Sequence, residues 1–181
     1  MSAGKDIRAT KRFITGHDKD GREIFHDEVD EAVPVVPLPG DADFALCYAT
    51  KGYPIDMSDN KDIATYQNYL TNLPGITISG GSVLRMVDMH PGATSPMHRT
   101  VSLDYGVVLE GEIELILDSG EKRIMKRGDI SIQRGTNHAW RNLSDTQWAR
   151  MLYILLPVQP IKVGDQMLGE ASDIPGVKPS E

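Results

Sequence analysis

A chain of 181 residues, 40% apolar and 25% charged, has the make-up of one globular domain able to bury a core unaided. Its net charge of −7, with no basic patch interleaved with aromatics, argues against a nucleic-acid partner. The single cysteine, Cys47, rules out an internal disulfide, and no run approaches the ~18 apolar residues of a membrane span, so a cytoplasmic protein without membrane contact is expected.

In chain order, residues 12–17 and 22–26 flank Asp18-Lys19-Asp20-Gly21, a turn signal that predicts a hairpin. Residues 33–40 carry Pro34, Pro37 and Pro39 and read as an extended connector. Residues 44–50 have strand composition, and the apolar neighbours of Cys47 make it a buried structural thiol rather than a nucleophile. The one helix is predicted over 58–70, with Ser58 or Asp59 as cap, Asp62 in the first turn, and Ile63, Tyr66 and Leu70 on one face. Residues 83–89 lead into the central stretch. Beyond it, 148–156 is an apolar strand long enough to be buried on both faces, ended by Pro157 and Pro160. A terminal hairpin follows around Gly164-Asp165, and polar residues 171–181 have little reason to be ordered. No internal repeat is visible.

The central stretch, Gly92 to Asn142, organises the rest. It holds two blocks of polar residues on strand-like sequence: Gly92, His98, Thr100, Asp104 and Gly111, then Gly128, Arg134, Gly135, His138 and Asn142. Strand side chains alternate faces, so His98, Thr100 and Ser102 share one face, and Asp104 joins them if the strand is not bulged. Between the blocks, 112–117 and 121–126 flank the turn Asp118-Ser119-Gly120. Short strands broken by Gly-rich corners predict an all-β sandwich or barrel.

These blocks resemble the two motifs of the cupin superfamily, G-x5-H-x-H-x3-E-x6-G and G-x5-P-x-G-x2-H-x3-N. Every spacing of the first is kept, but Thr100 stands where the second His belongs and Asp104 where the Glu belongs. The second is one residue short, with Arg134-Gly135 in place of P-x-G. The resemblance implies an all-β cupin (jelly-roll) barrel over residues 31–170 with one short helix. It also implies a homodimer, to which the N-terminal hairpin (within residues 1–30) contributes. Cupins characteristically hold one divalent metal ion (Fe, Mn, Zn or Ni) on three His and one Glu. The corresponding metal ligands here are His98, Asp104 and His138, a two-His, one-carboxylate set; a metal-free barrel is the equal alternative.

Without a metal, His98, Asp104 and His138 still make an acid–base site, with Thr100 beside them. Arg99 and Arg134 are candidates for holding a substrate carboxylate or phenolate, or else make surface ion pairs. Trp140 shares the parity of His138 and lines the pocket floor or packs in the core. Tyr105 should face the other way, Asn142 should be structural, and His17, His26 and His90 should be exposed. Single-domain cupins with this weakened first motif resemble proteins of fungal and bacterial biosynthetic or catabolic pathways. The expected function is therefore a small-molecule enzyme, a lyase or isomerase (decarboxylation, dehydration or cyclisation). A non-haem oxygenase and a non-catalytic ligand-binding cupin are the alternatives.

Overall fold

The computed structural model describes residues 5–40 and 42–180. Its strands are β1 (Thr15–His17), β2 (Glu23–Phe25), β3 (Val36–Pro37), β4 (Ala42–Lys51), β5 (Gly81–Met89), β6 (Ser102–Glu110) and β7 (Glu112–Leu117). They continue as β8 (Lys122–Lys126), β9 (Ile130–Arg134), β10 (His138–Asn142), β11 (Ala149–Pro157), β12 (Ile161–Val163) and β13 (Gln166–Leu168). A six-stranded antiparallel sheet runs β3-β4-β5-β11-β6-β9, and a three-stranded sheet runs β10-β7-β8. The pairs β1-β2 and β12-β13 are the two expected hairpins. In the first turn Asp18 accepts from the backbone N–H groups of Asp20 and Arg22, both at 2.9 Å, which is why Asp-x-Asp-Gly folds there.

One apolar core is shared by both sheets. Val83 and Met89 of β5, Val108 of β6 and Met151 and Leu155 of β11 meet Ile113, Met125 and Trp140 of the smaller sheet. Alternation along each strand puts these residues on the inner face. The outer face of the larger sheet is covered only in part: Cys47, Ala45 and Met86 pack under Val33 of the connector, but Ile154 and Ile132 stay open. Strand β11 is thus buried fully on one face, not on both.

The helix, α1 (Lys61–Thr71), begins three residues later than expected, after a single 3-10 turn over Ser58–Asn60. Neither Ser58 nor Asp59 caps it. Asp59 and Asn60 take left-handed backbone conformations (φ 53° and 55°) that short polar side chains tolerate, so no side-chain oxygen reaches the first turn. Its fully buried residues are Ile63, Tyr66 and Tyr69, with Leu70 at the margin, and the Tyr66 hydroxyl donates to Leu46 O of β4 at 2.7 Å.

Residues 171–180 depart from the loose tail expected of their composition. Ala171 exchanges backbone hydrogen bonds with Arg99, Ile174 and Val177 pack against the core, and Lys178 donates to Leu73 O at 3.0 Å. The segment passes so close to Gly75 that a Cβ there would collide with the Pro179 backbone. Composition missed this because two apolar residues, not the average, anchor the segment.

Candidate active site

The first block is not a regular strand. Residues 91–101 form turns and isolated bridges, and β6 begins only at Ser102. The alternation nevertheless holds: His98, Thr100, Ser102 and Asp104 are all buried. The second block supplies His138 and Trp140 from β10, which pairs with β7. His98, Thr100, Asp104, His138 and Trp140 line one cavity between the sheets, together with Phe44, Arg85 and Tyr153.

Both histidines are fixed in the same way. Nδ1 of His98 lies 2.9 Å from Pro96 O, and Nδ1 of His138 lies 2.9 Å from Thr136 O. A carbonyl can only accept, so each neutral ring carries its proton on Nδ1 and presents Nε2 as the basic nitrogen. The rings stand 4.4 Å apart, and the edge of Trp140 packs on His138 at 5.4 Å. Burial, and then the proximity of His98, lowers the His138 pKa to about 4, so it is neutral at neutral pH.

Asp104 is held differently. The Thr100 hydroxyl bonds Ser102 at 2.6 Å and approaches Asp104 Oδ2 at 3.4 Å, while Oδ1 is buried with no partner. Burial raises its pKa to about 6, opposed by those hydroxyls and by the Arg85 charge. The result is a carboxyl that exchanges protons near neutrality.

Among the described residues no three His, Cys, Asp or Glu side chains gather closely enough to hold a metal ion. The physical reasons are local. Thr100 offers a hydroxyl where a third imidazole would stand, and Asp104 is one methylene shorter than Glu and turned toward Thr100. The shared metal-ligand role expected of His98, Asp104 and His138 does not fit this donor arrangement.

Arg99 and Arg134 lie away from the cavity. Arg134 is exposed and Arg99 half-buried; both line a surface groove beside the terminal hairpin, and Arg99 Nε donates to Gly169 O at 2.8 Å. The arginine that reaches the cavity is Arg85 of β5. Its signal was present in the sequence, as one cation among the inward-facing positions Val83, Val87 and Met89.

The remaining expectations divide. Tyr105 sits on the outer face opposite Ile132 and Ile154. Asn142 is structural, donating to Gln147 O at 2.8 Å and accepting from Ser144 N at 3.0 Å. Cys47 is buried, with its pKa raised by that burial. His17 is exposed, but His26 is half-buried and His90 is packed against Trp148, 4.2 Å between ring centres, with Nε2 3.6 Å from Asp43. No helix among the described residues is long and apolar enough to cross a membrane.

Two facing antiparallel sheets around a cavity that draws on both polar blocks define a cupin. The chain belongs to the cupin family: residues 85–155 match the Cupin domain. It is 51% identical over 164 residues, 91% of this chain and 87% of the relative, to phomopsin biosynthesis cluster protein C' of Diaporthe leptostromiformis. It is 47% identical over 167 residues (92% and 93%) to oryzines biosynthesis cluster protein J of Aspergillus oryzae. A cupin-domain-containing oxidoreductase of Neurospora crassa is 41% identical over 162 residues (90% and 81%).

Proposed function

We propose that this chain is a biosynthetic enzyme acting on a small organic molecule in the cavity by proton transfer, in lyase- or isomerase-type chemistry. Asp104 is the proton acceptor, and His98 and His138 orient the substrate and relay protons. The observation that carries this reading is the buried Asp104 carboxyl, whose unpartnered Oδ1 is found in a cavity lined by two backbone-fixed histidines. A buried acceptor without a donor costs several kcal/mol unless a ligand meets it, so a catalytic role explains its retention. The names of relatives in biosynthesis clusters support the setting. Assembly as a homodimer through the N-terminal hairpin belongs to the same reading. It is supported by Phe13 and Phe25, which are 61% and 74% exposed and meet edge-on at 6.3 Å.

The test is to incubate purified protein with the intermediates that accumulate when its gene is deleted and to follow conversion by mass spectrometry. Turnover should rise as pH increases through about 6, where Asp104 ionises, and Asp104→Asn should abolish both turnover and that rise. Full activity in Asp104→Asn would sink the proposal. A second reading, redox chemistry in the same cavity, is favoured by the oxidoreductase name of several relatives. It predicts consumption of an oxidant in the same assay.

A further inference from the structure

Arg85 is 7% exposed, an unusual place for a guanidinium. Its Nη2 donates to Gly75 O at 3.0 Å, and the group lies 5.0 Å over the Phe44 ring. Among the described residues no carboxylate forms an ion pair with it; Asp104 acts on it only through space. Arg85 pairs in register with Tyr153 of β11, which pairs with Gly106 of β6, and Asp104 lies two residues from Gly106 on the same face. Two strand spacings of about 4.8 Å therefore separate the two backbones, with the Tyr153 strand between them. Gly106 leaves no room for a side chain there, since a Cβ would meet Ser131 Oγ at 2.6 Å and the Tyr153 ring at 3.0 Å.

The cavity thus holds a cation without a carboxylate contact and a carboxylate oxygen without a donor, facing the same space. The Arg85 guanidinium and the Asp104 carboxylate, both lining the cavity, carry opposite unit charges that sum to zero. A substrate that arrived as an anion would leave a net buried negative charge, which is costly in a low-dielectric site. A neutral carbonyl compound would not.

Resting on the proton-transfer reading above, we propose that the substrate is a neutral, enolisable carbonyl compound. Its carbonyl oxygen accepts from the Arg85 guanidinium, and its adjacent C–H faces Asp104. In the step, Asp104 Oδ1 takes the proton and the C–H electron pair becomes a C=C bond. The carbonyl π pair moves onto oxygen as an enolate beside Arg85. Returning the proton to another carbon of the conjugated system completes an isomerisation; loss of a β-hydroxyl together with that proton, as water, completes a dehydration. No oxidant or reductant is needed, and charge only moves from Asp104 to the oxygen held by Arg85.

The probe is 4-nitrophenolate, an enolate mimic, titrated by absorbance at pH 8, with benzoate as a second anion. Asp104→Asn, which copies the protonated acceptor, should bind 4-nitrophenolate at least about tenfold tighter than the native protein. Adding Arg85→Met should remove at least about tenfold, and Arg85→Lys should restore most of it. The Asp104→Asn effect is a gain, so misfolding cannot produce it, and melting curves check the Arg85 variants. Native protein binding either anion as tightly as Asp104→Asn, or an Arg85→Met double variant that keeps the affinity, overturns the proposal. This readout is independent of turnover. Full turnover in Asp104→Asn would defeat the proton-transfer reading while leaving the Arg85 binding result standing, and abolished turnover with no Arg85 effect on 4-nitrophenolate would defeat only the present inference.

Discussion

His98 and His138 exchange both of their backbone hydrogen bonds, N to O at 2.9 Å in each direction. This bridge joins the two polar blocks directly, although 39 residues of chain lie between them. With each Nδ1 tied to a carbonyl two residues earlier, the ring pair has little freedom to reorient. Preorganisation of this kind lets a pair of imidazoles position a small substrate without entropy loss at the moment of reaction.

His98→Ala and His138→Ala should each lower kcat/KM by about a hundredfold or more while the melting temperature moves by only a few degrees. Both rings face the cavity, so their loss enlarges a space that already exists. Unfolding of either variant, or unchanged turnover in both, would contradict this assignment.

Thr100→His should add a third imidazole beside the pair. If the missing donor is what keeps the site from holding a metal, the affinity for Zn2+ should rise at least about tenfold by calorimetry. An unchanged affinity would mean that the position of Asp104, not the donor count, is decisive.

Truncation after Ala171 removes Ile174 from the cavity wall and Val177 from the core margin. Both are partly buried, so the expected loss is about 1–2 kcal/mol by urea unfolding, with a higher KM from the widened mouth. Gly75→Val should do the same by displacing the Pro179 backbone. Stability and KM equal to those of the full chain would show that the segment contributes nothing.

The cavity residues from the two blocks were legible because their signal is strictly local. A period of two carries His98, Thr100 and Asp104 to one side even where the backbone is irregular, and the block spacing brings His138 opposite. The cation of the site was not legible in that way. Arg85 lies outside both blocks: alternation with Val83, Val87 and Met89 turns it inward, but only the register of β5 against β11 and of β11 against β6 brings it to the face that holds Asp104. Arg99 looked better placed because it adjoins His98, yet a neighbour along extended chain faces the other way, and Arg134, though part of the second block, ends β9 opposite Leu103 on the outer face. The helix start was misjudged for a different reason. Asp59 and Asn60 favour left-handed backbone as readily as a cap, and the local sequence does not separate the two.

Assembly can be read by light scattering. The proposed dimer should run near twice the 20.0 kDa chain mass, and Phe13→Ser with Phe25→Ser should shift it to monomer. A monomer at micromolar concentration in the unmodified protein would remove the hairpin from consideration as an interface.

The pH dependence of stability offers a test of the cavity that needs no substrate. Asp104 has a folded pKa of about 6 against an ordinary 3.8, because burial disfavours its charge. The folded state therefore holds that proton more firmly, so this contribution is fully present below about pH 4 and is lost as pH rises to about 6. His138 has a folded pKa of about 4 against 6.5. Here the unfolded state takes the proton first, so the contribution is present above about pH 6.5 and is lost as pH falls toward 4. Each difference is worth about 3 kcal/mol over nearly the same window, with opposite sign. In the native protein the two nearly cancel, leaving the carboxylates held low, such as Asp88 beside Arg150 and Lys5, to set the acid limb. Asp104→Asn should expose the histidine limb, so that stability gains about 3 kcal/mol more between pH 4 and 6.5 than in the native protein. His138→Ala should expose the carboxyl limb and lose a similar amount over that rise. Urea unfolding at closely spaced pH values reads both differences against the same background. Profiles that run parallel in all three proteins would mean that neither group is buried as described.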